Sequence, residues 1–219
     1  MDLAWNSVTR AATLHTEEAQ LRHRLADAAK AADWPQVLAI LEQRPDLSNS
    51  TRPDGHAWYA PLHQAAYTGA PLAVVERLLA LGAWRSLPTA AGELASTIAR
   101  RQGQGPLLEV LEPVYQHDLP HDAVAAIQSQ LHLVIRERAA RLVNAHALRL
   151  PELLPLLELA VPQLWAPIPG IYGGFSLRFD LHAPEPLLVT ESWCRVVGGS
   201  GQRHEITAQG SRLVDEGFV

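Results

Sequence analysis

Residues 60–69 read Ala-Pro-Leu-His-Gln-Ala-Ala-Tyr-Thr-Gly, and no other stretch narrows the possible folds of this chain as much. Pro61 suits the first turn of a helix, where the N–H it lacks would have no intrahelical partner and its fixed φ is already helical. Leu62, Ala65 and Ala66 then share one face at helical spacing. Gly69 supplies the left-handed residue that ends a helix, and Pro71 opens a second one. There Val74, Val75, Leu78 and Leu79 make the apolar stripe, and Gly82 closes it. Helices this short and this narrowly apolar cannot bury their faces alone. Neighbouring pairs must stack on both sides.

Neighbours are legible. Upstream, Ala28-Ala29 and Val37-Leu38-x-x-Leu41 repeat Ala65-Ala66 and Val74-Val75-x-x-Leu78 at an offset of 37 residues. Downstream, Gly92-Glu93-Leu94-Ala95 echoes the helix start, with Leu94 set 32 residues after Leu62, and Leu107, Val110 and Leu111 follow Val75, Leu78 and Leu79 at the same offset. These shifts bracket a period of about 33. The pattern of residues 60–83, Ala60-Pro61-Leu62-His63-x-Ala65 to Gly69, then Val75-x-x-Leu78-Leu79, then Gly82-Ala83, resembles one repeat of the ankyrin family, with Ala60 where that family has Thr. The resemblance covers one well-kept repeat and two degenerate ones, from about Leu21 to Val114. It implies a stack of about three helix pairs whose work is holding another protein. It also implies that His63 braces neighbouring repeats, and that the segment before Pro61 is the protruding β-turn finger.

Composition sets the outer limits. At 219 residues and 47% apolar content the chain can build real cores. Its net charge of −5, with no basic stripe or lysine-rich tail, argues against nucleic acid. The one cysteine, Cys194, excludes an internal disulfide and fits a reducing compartment. No charged-then-apolar leader pattern and no membrane-length apolar run is present, so a cytoplasmic, soluble protein is expected, with no membrane partner.

The remaining segments complete an α+β expectation: a short helical stack followed by a helix plus a small antiparallel sheet. Residues 1–20 are expected to be an N-terminal helical cap, part of a mostly helical stretch from Ser7 to Ala32 in which Thr16-Glu17-Glu18 marks a break or cap. The stack spans 21–119. From 120 to 219 the pattern changes. Asp122 is a plausible N-cap for a helix whose apolar positions include Val124, Ile127, Leu131, Val134 and Ile135. A leucine-rich helical piece follows near Leu153-Leu154 and ends at Pro162, Pro167 and Pro169. Beyond Gly170 the period moves to two, predicting strands near Gly174–Leu181, Leu187–Val197, Arg203–Thr207 and Ser211–Phe218, with hairpin turns at Gly198–Gly201 and Ala208–Gly210. This half, through Pro169-Gly170-x-Tyr172-Gly173-Gly174-Phe175 and Glu191-Ser192-Trp193-x-Arg195 to His204, resembles an uncharacterised bacterial domain found beside ankyrin repeats or alone. That resemblance implies no chemistry.

Candidate interaction residues fall in three places. His56, Trp58 and Tyr59 lie in an approach segment longer than the ankyrin pattern; Trp and Tyr are interface anchors, though Trp58 could equally pack into the N-terminal segment. Trp84 and Arg85 stand near the next finger, where the family has an aspartate. In the sheet, Arg195, Gln202 and Arg203, with Tyr172, Phe175 and Trp193, suit a recognition patch, although filling the sheet–helix core is the favoured reading for those three aromatics. Cys194 and His204, with Glu191 nearby, could pair as nucleophile and base only if they converge on one face. His117-x-x-x-His121 lacks the glutamate of a metal motif. No catalytic residue, metal or cofactor is expected. The chain therefore reads as a non-enzymatic protein-binding module. Family analogy suggests a bacterial immunity-type protein that neutralises a toxin or enzyme encoded nearby. The alternatives are an enzyme or small-ligand binder using the sheet, and a regulatory scaffold with two partners.

Overall fold

A computed structural model describes residues 3–194 and 199–217. The chain divides into two units, Val8–Val114 and a second made of Met1–Ser7 with Tyr115–Val219. The fold is α+β: a helical region, then a long helix packed against a five-stranded antiparallel sheet.

The helical unit consists of α1 (Thr16–Lys30), α2 (Trp34–Gln43), α3 (Pro61–Thr68), α4 (Leu72–Ala80), α5 (Ala95–Arg101) and α6 (Leu108–Leu111), with 3-10 turns before α1, after α2 and before α6. α1 packs on α2 and α3, α3 on α4 and α5, and α5 on α6. Ala28, Ala65 and Ala99 are each almost wholly buried. Their small side chains let the three first helices approach closely. Each first helix also ends in the same way. Ala32, Gly69 and Gly103 take left-handed φ values of 58°, 67° and 72°. The next residue in each case, Asp33, Ala70 or Gln104, donates its N–H to the carbonyl of Ala28, Ala65 or Ala99 at 2.9–3.0 Å.

These closures lie 37 and 34 residues apart and fix a register the sequence pattern had set differently. Leu94 corresponds to Ala60, not Leu62: both are extended N-cap residues, at φ −85°, ψ 162° and φ −84°, ψ 168°. The leucine match at 32 residues followed side-chain type, whereas backbone geometry places the shared position two residues earlier. The expected helix from Ser7 is also shorter. Among the described residues only a 3-10 turn, Ala11–Thr13, is helical before α1, so Thr16-Glu17-Glu18 is a helix start.

In the second unit α7 (His121–His146) buries Val124, Ile127, Leu131, Val134 and Ile135, and it kinks at Ala139 (φ −138°, ψ 22°). Pro120 is its N-cap residue, so Asp122 lies two positions past the cap, as the second helical residue, accepting from the Ala123 N–H at 2.9 Å. After α8 (Leu154–Leu157) come β1 (Gln163–Ile168), β2 (Gly173–Phe179), β3 (Leu188–Cys194), β4 (Ser200–Thr207) and β5 (Gly210–Gly217), a meander in sequence order. Four strands match the period-two reading. β1 does not, because Pro162, Pro167 and Pro169 read as breakers. Its place at the sheet edge resolves this. Trp165 exchanges backbone bonds outward with Leu3 and Trp5 (2.8 and 2.7 Å), so Pro167, two residues on, turns its missing N–H to the same outer side. An edge strand tolerates proline where no ladder bond is lost.

Candidate interaction surface

The chain between α2 and α3 is an ordered platform. Ser48 Oγ donates to Leu81 O at 2.8 Å, and the Asn49 side chain bridges Gly82 O (2.7 Å) and Trp84 N (2.9 Å). Farther along, Asp54 N donates to Thr9 O at 2.7 Å, its carboxylate accepts from Ala11 N at 3.2 Å, and Ala57 O accepts from Ala90 N at 3.1 Å. His63 secures the end of the loop. Ala60 N–H donates to His63 Nδ1 at 3.0 Å, so the proton sits on Nε2, which donates to Leu87 O at 2.9 Å. That bond reaches the loop following α4, the bracing expected of this histidine.

Held between these ties, His56 and Ala57 are exposed, and Trp58 and Tyr59 are half-buried. Trp58 has φ +54°, a left-handed backbone that costs a bulky residue about 1–2 kcal/mol. The Tyr59 ring lies 5.7 Å from the His63 ring and 6.4 Å, edge-on, from that of Tyr67. Tyr67 is 48% exposed on α3. Together His56, Trp58, Tyr59 and Tyr67 line one groove of about 490 Å3, walled on the other side by Ala26 and Lys30 of α1. The first three were candidates from sequence. Tyr67 was missed, although a signal existed: it falls off the Leu62/Ala65/Ala66 stripe, so helical geometry turns it away from the core.

The other candidates separate. Trp84 is 5% exposed and belongs to the interior, so it presents no surface to a partner. Its position after Gly82 returns it beneath the loop that Asn49 ties down. Arg85 is half-buried, with Nε donating to Val110 O at 2.8 Å. Arg195 lies outside the described residues. Gln202 and Arg203 are consecutive in β4 and face opposite sides of the sheet. Arg203 approaches Glu191 at 3.9 Å on one side, while Gln202 lines the other with Arg138 and His204. Phe175 is core at 1% exposure, whereas Tyr172 is 82% exposed.

On the Glu191 side of the sheet, Trp165 and Trp193 stack at 4.5 Å with an interplanar angle of 21°. Gly174 pairs with Trp193 and lies between the strands that carry the two indoles. A Cβ there would stand 2.2 Å from Ala166 O and 2.9 Å from Trp165, so only glycine fits. Cys194 and His204 share a face but not a position. Cys194 pairs with Ser200 and His204 with Thr190, four residues apart along the ladder, or about 13 Å. Glu191 points to the opposite side. The nucleophile–base grouping does not form.

His204 and His132 have shifted acidity. Burial, then the nearby Arg138 charge, pushes His204 below the usual imidazole value, and its Nδ1 is buried without a hydrogen bond. Burial likewise lowers His132, against its bond to Pro151 O. His117 bonds Leu159 O and His121 packs edge-on to Tyr115; among the described residues no cluster of three metal-ligating side chains occurs. No described helix is long and apolar enough to cross a membrane. No protein-family model matches the chain, and no curated protein matches it in sequence.

Proposed function

We propose that this protein is a protein-binding module of ankyrin-repeat type that engages its partner through the groove of Trp58, Tyr59 and Tyr67. The observation that carries this reading is the aromatic trio itself. Three amphipathic rings share one open groove, and one of them sits on a strained backbone anchored from both sides. Rigid aromatics offer contact area at low entropic cost, and strain of this kind concentrates where a surface is used. The three helix pairs with a repeated closure support the repeat reading. Within this class we favour neutralisation of a toxin or enzyme encoded nearby, in a bacterial cytoplasm.

The test is affinity capture of the neighbouring gene product by the wild-type chain and by a Trp58→Ala/Tyr67→Ala variant. Loss of two anchors should weaken the complex by at least about thirtyfold while the circular dichroism spectrum stays unchanged. Equal capture by the variant would refute the assignment of the groove.

A second reading, a small-ligand site on the sheet unit, is favoured by one observation. Arg138, Gln202, His204 and Ser211 line a polar niche of about 510 Å3, and the buried His204 Nδ1 makes no hydrogen bond. Titration of inorganic phosphate and acetate against the His204 ring resonances checks it; the absence of saturable shifts would remove it.

A further inference from the structure

We propose that the partner segment seated in this groove is acidic: an extended stretch of chain carrying carboxylates beside an apolar anchor. The inference rests on the protein-binding reading and adds the partner's chemistry. Among the described residues, the lining of the groove holds two full cations, Lys30 and Arg52, and no carboxylate, in a chain whose net charge is −5. Asp27, outside the lining, meets the charge of Arg52 through a direct ion pair, and Arg52 also contacts His23 Nδ1 at 3.3 Å. Lys30 has no such counterpart. It is the chain's only lysine, it is exposed, and it makes no ion pair among the described residues.

A cation in the last turn of α1 suits the helix dipole, which accounts for a positive residue at that place. It does not account for the lack of an acidic group among the described residues of the lining. The arrangement discriminates among segments by what each would leave unpaired. A basic segment would set like charges against Lys30 with no carboxylate in the lining to receive them. A neutral apolar segment would cover the Lys30 ammonium and leave it without a counter-charge. An acidic segment places a carboxylate on that ammonium in a charge-assisted hydrogen bond, while its apolar anchor lies on Trp58 and Tyr67.

The experiment uses the full chain and a set of immobilised peptides with identical leucine anchors. They differ only in whether the intervening positions are Asp/Glu, Asn/Gln or Lys/Arg. Wild-type protein should be retained about tenfold more by the acidic peptides than by the neutral ones, with the excess lost as salt is raised. Lys30→Gln should abolish the excess, so that acidic and neutral peptides are retained alike. Trp58→Ala should reduce both. Equal retention of acidic and neutral peptides, or an acidic preference that survives Lys30→Gln, overturns the inference. In those cases loss of retention in Trp58→Ala would still support the protein-binding reading. Retention of none of the peptides overturns the extended acidic segment and leaves partner capture as the separate test of the protein-binding reading.

Discussion

Replacing Ala32 by Gly should make the helical unit more stable. Ala32 closes α1 at φ +58°, where the equivalent positions of the next two pairs are Gly69 and Gly103. A left-handed alanine costs about 1–2 kcal/mol, because its Cβ crowds the following carbonyl. Glycine removes that strain but loosens the unfolded chain, which offsets about 0.4–1 kcal/mol. Ala32 is exposed, so almost no packing is lost, and a net gain of about 0.5–1 kcal/mol remains. At this chain length that raises Tm by about 2 °C. Urea unfolding followed by circular dichroism gives the free energy directly. Two reverse variants calibrate the reasoning. Gly103→Ala meets nothing within 4 Å and should cost only the same net strain, whereas Gly69→Ala drives a Cβ to 2.4 Å from the Gln104 side chain and should cost more. A neutral or destabilising Ala32→Gly alongside a destabilising Gly103→Ala would refute the shared closure.

Other consequences can be checked on the same material. The Glu18 carboxyl is held below its usual value: burial opposes this, but hydrogen bonds from Arg44 and Arg22 outweigh it. Its folded value lies below the unfolded one, so its contribution is present above about pH 5 and lost as pH falls through the folded value; Glu18→Gln should flatten the acid limb of a stability–pH curve. Trp5 is 3% exposed, donates from Nε1 to Arg149 O at 2.9 Å and lies 5.1 Å under the Arg149 guanidinium, whose burial lowers its pKa to about 10. Trp5→Ala should therefore cost about 3–5 kcal/mol, measured by denaturant midpoint, with Trp5→Phe recovering part of it. Gly174→Ala should separate the Trp165–Trp193 stack and abolish its exciton signal in circular dichroism, with a loss of about 2–4 kcal/mol; a retained signal would show that the strands can yield.

The helix pairs were readable because their signals are local. Pro61 at a helix start, Gly69 at a helix end and small residues between them act through φ and ψ of a few consecutive residues. The same holds for β2 to β5, where alternation between Gly and Pro punctuation marks pleated chain. Within the groove, Trp58 and Tyr59 were visible as aromatic residues in a long approach segment, but their type did not say whether they faced solvent. Trp84 carried the same signal and is buried.

Sequence alone thus determined that this chain builds stacked helix pairs and an antiparallel sheet, and that its approach segment is unusual. Tertiary structure decided the rest. Pro167 could join a strand only because β1 found an edge, where its missing N–H faces outward. Tyr59 meets Tyr67, and Lys30 reaches their groove, because α1 and α3 pack side by side. Cys194 and His204 are kept apart by a ladder register set across two strands. Each outcome depends on which distant segments come together, and that is fixed by burial of the whole core, not by the preferences of neighbouring residues.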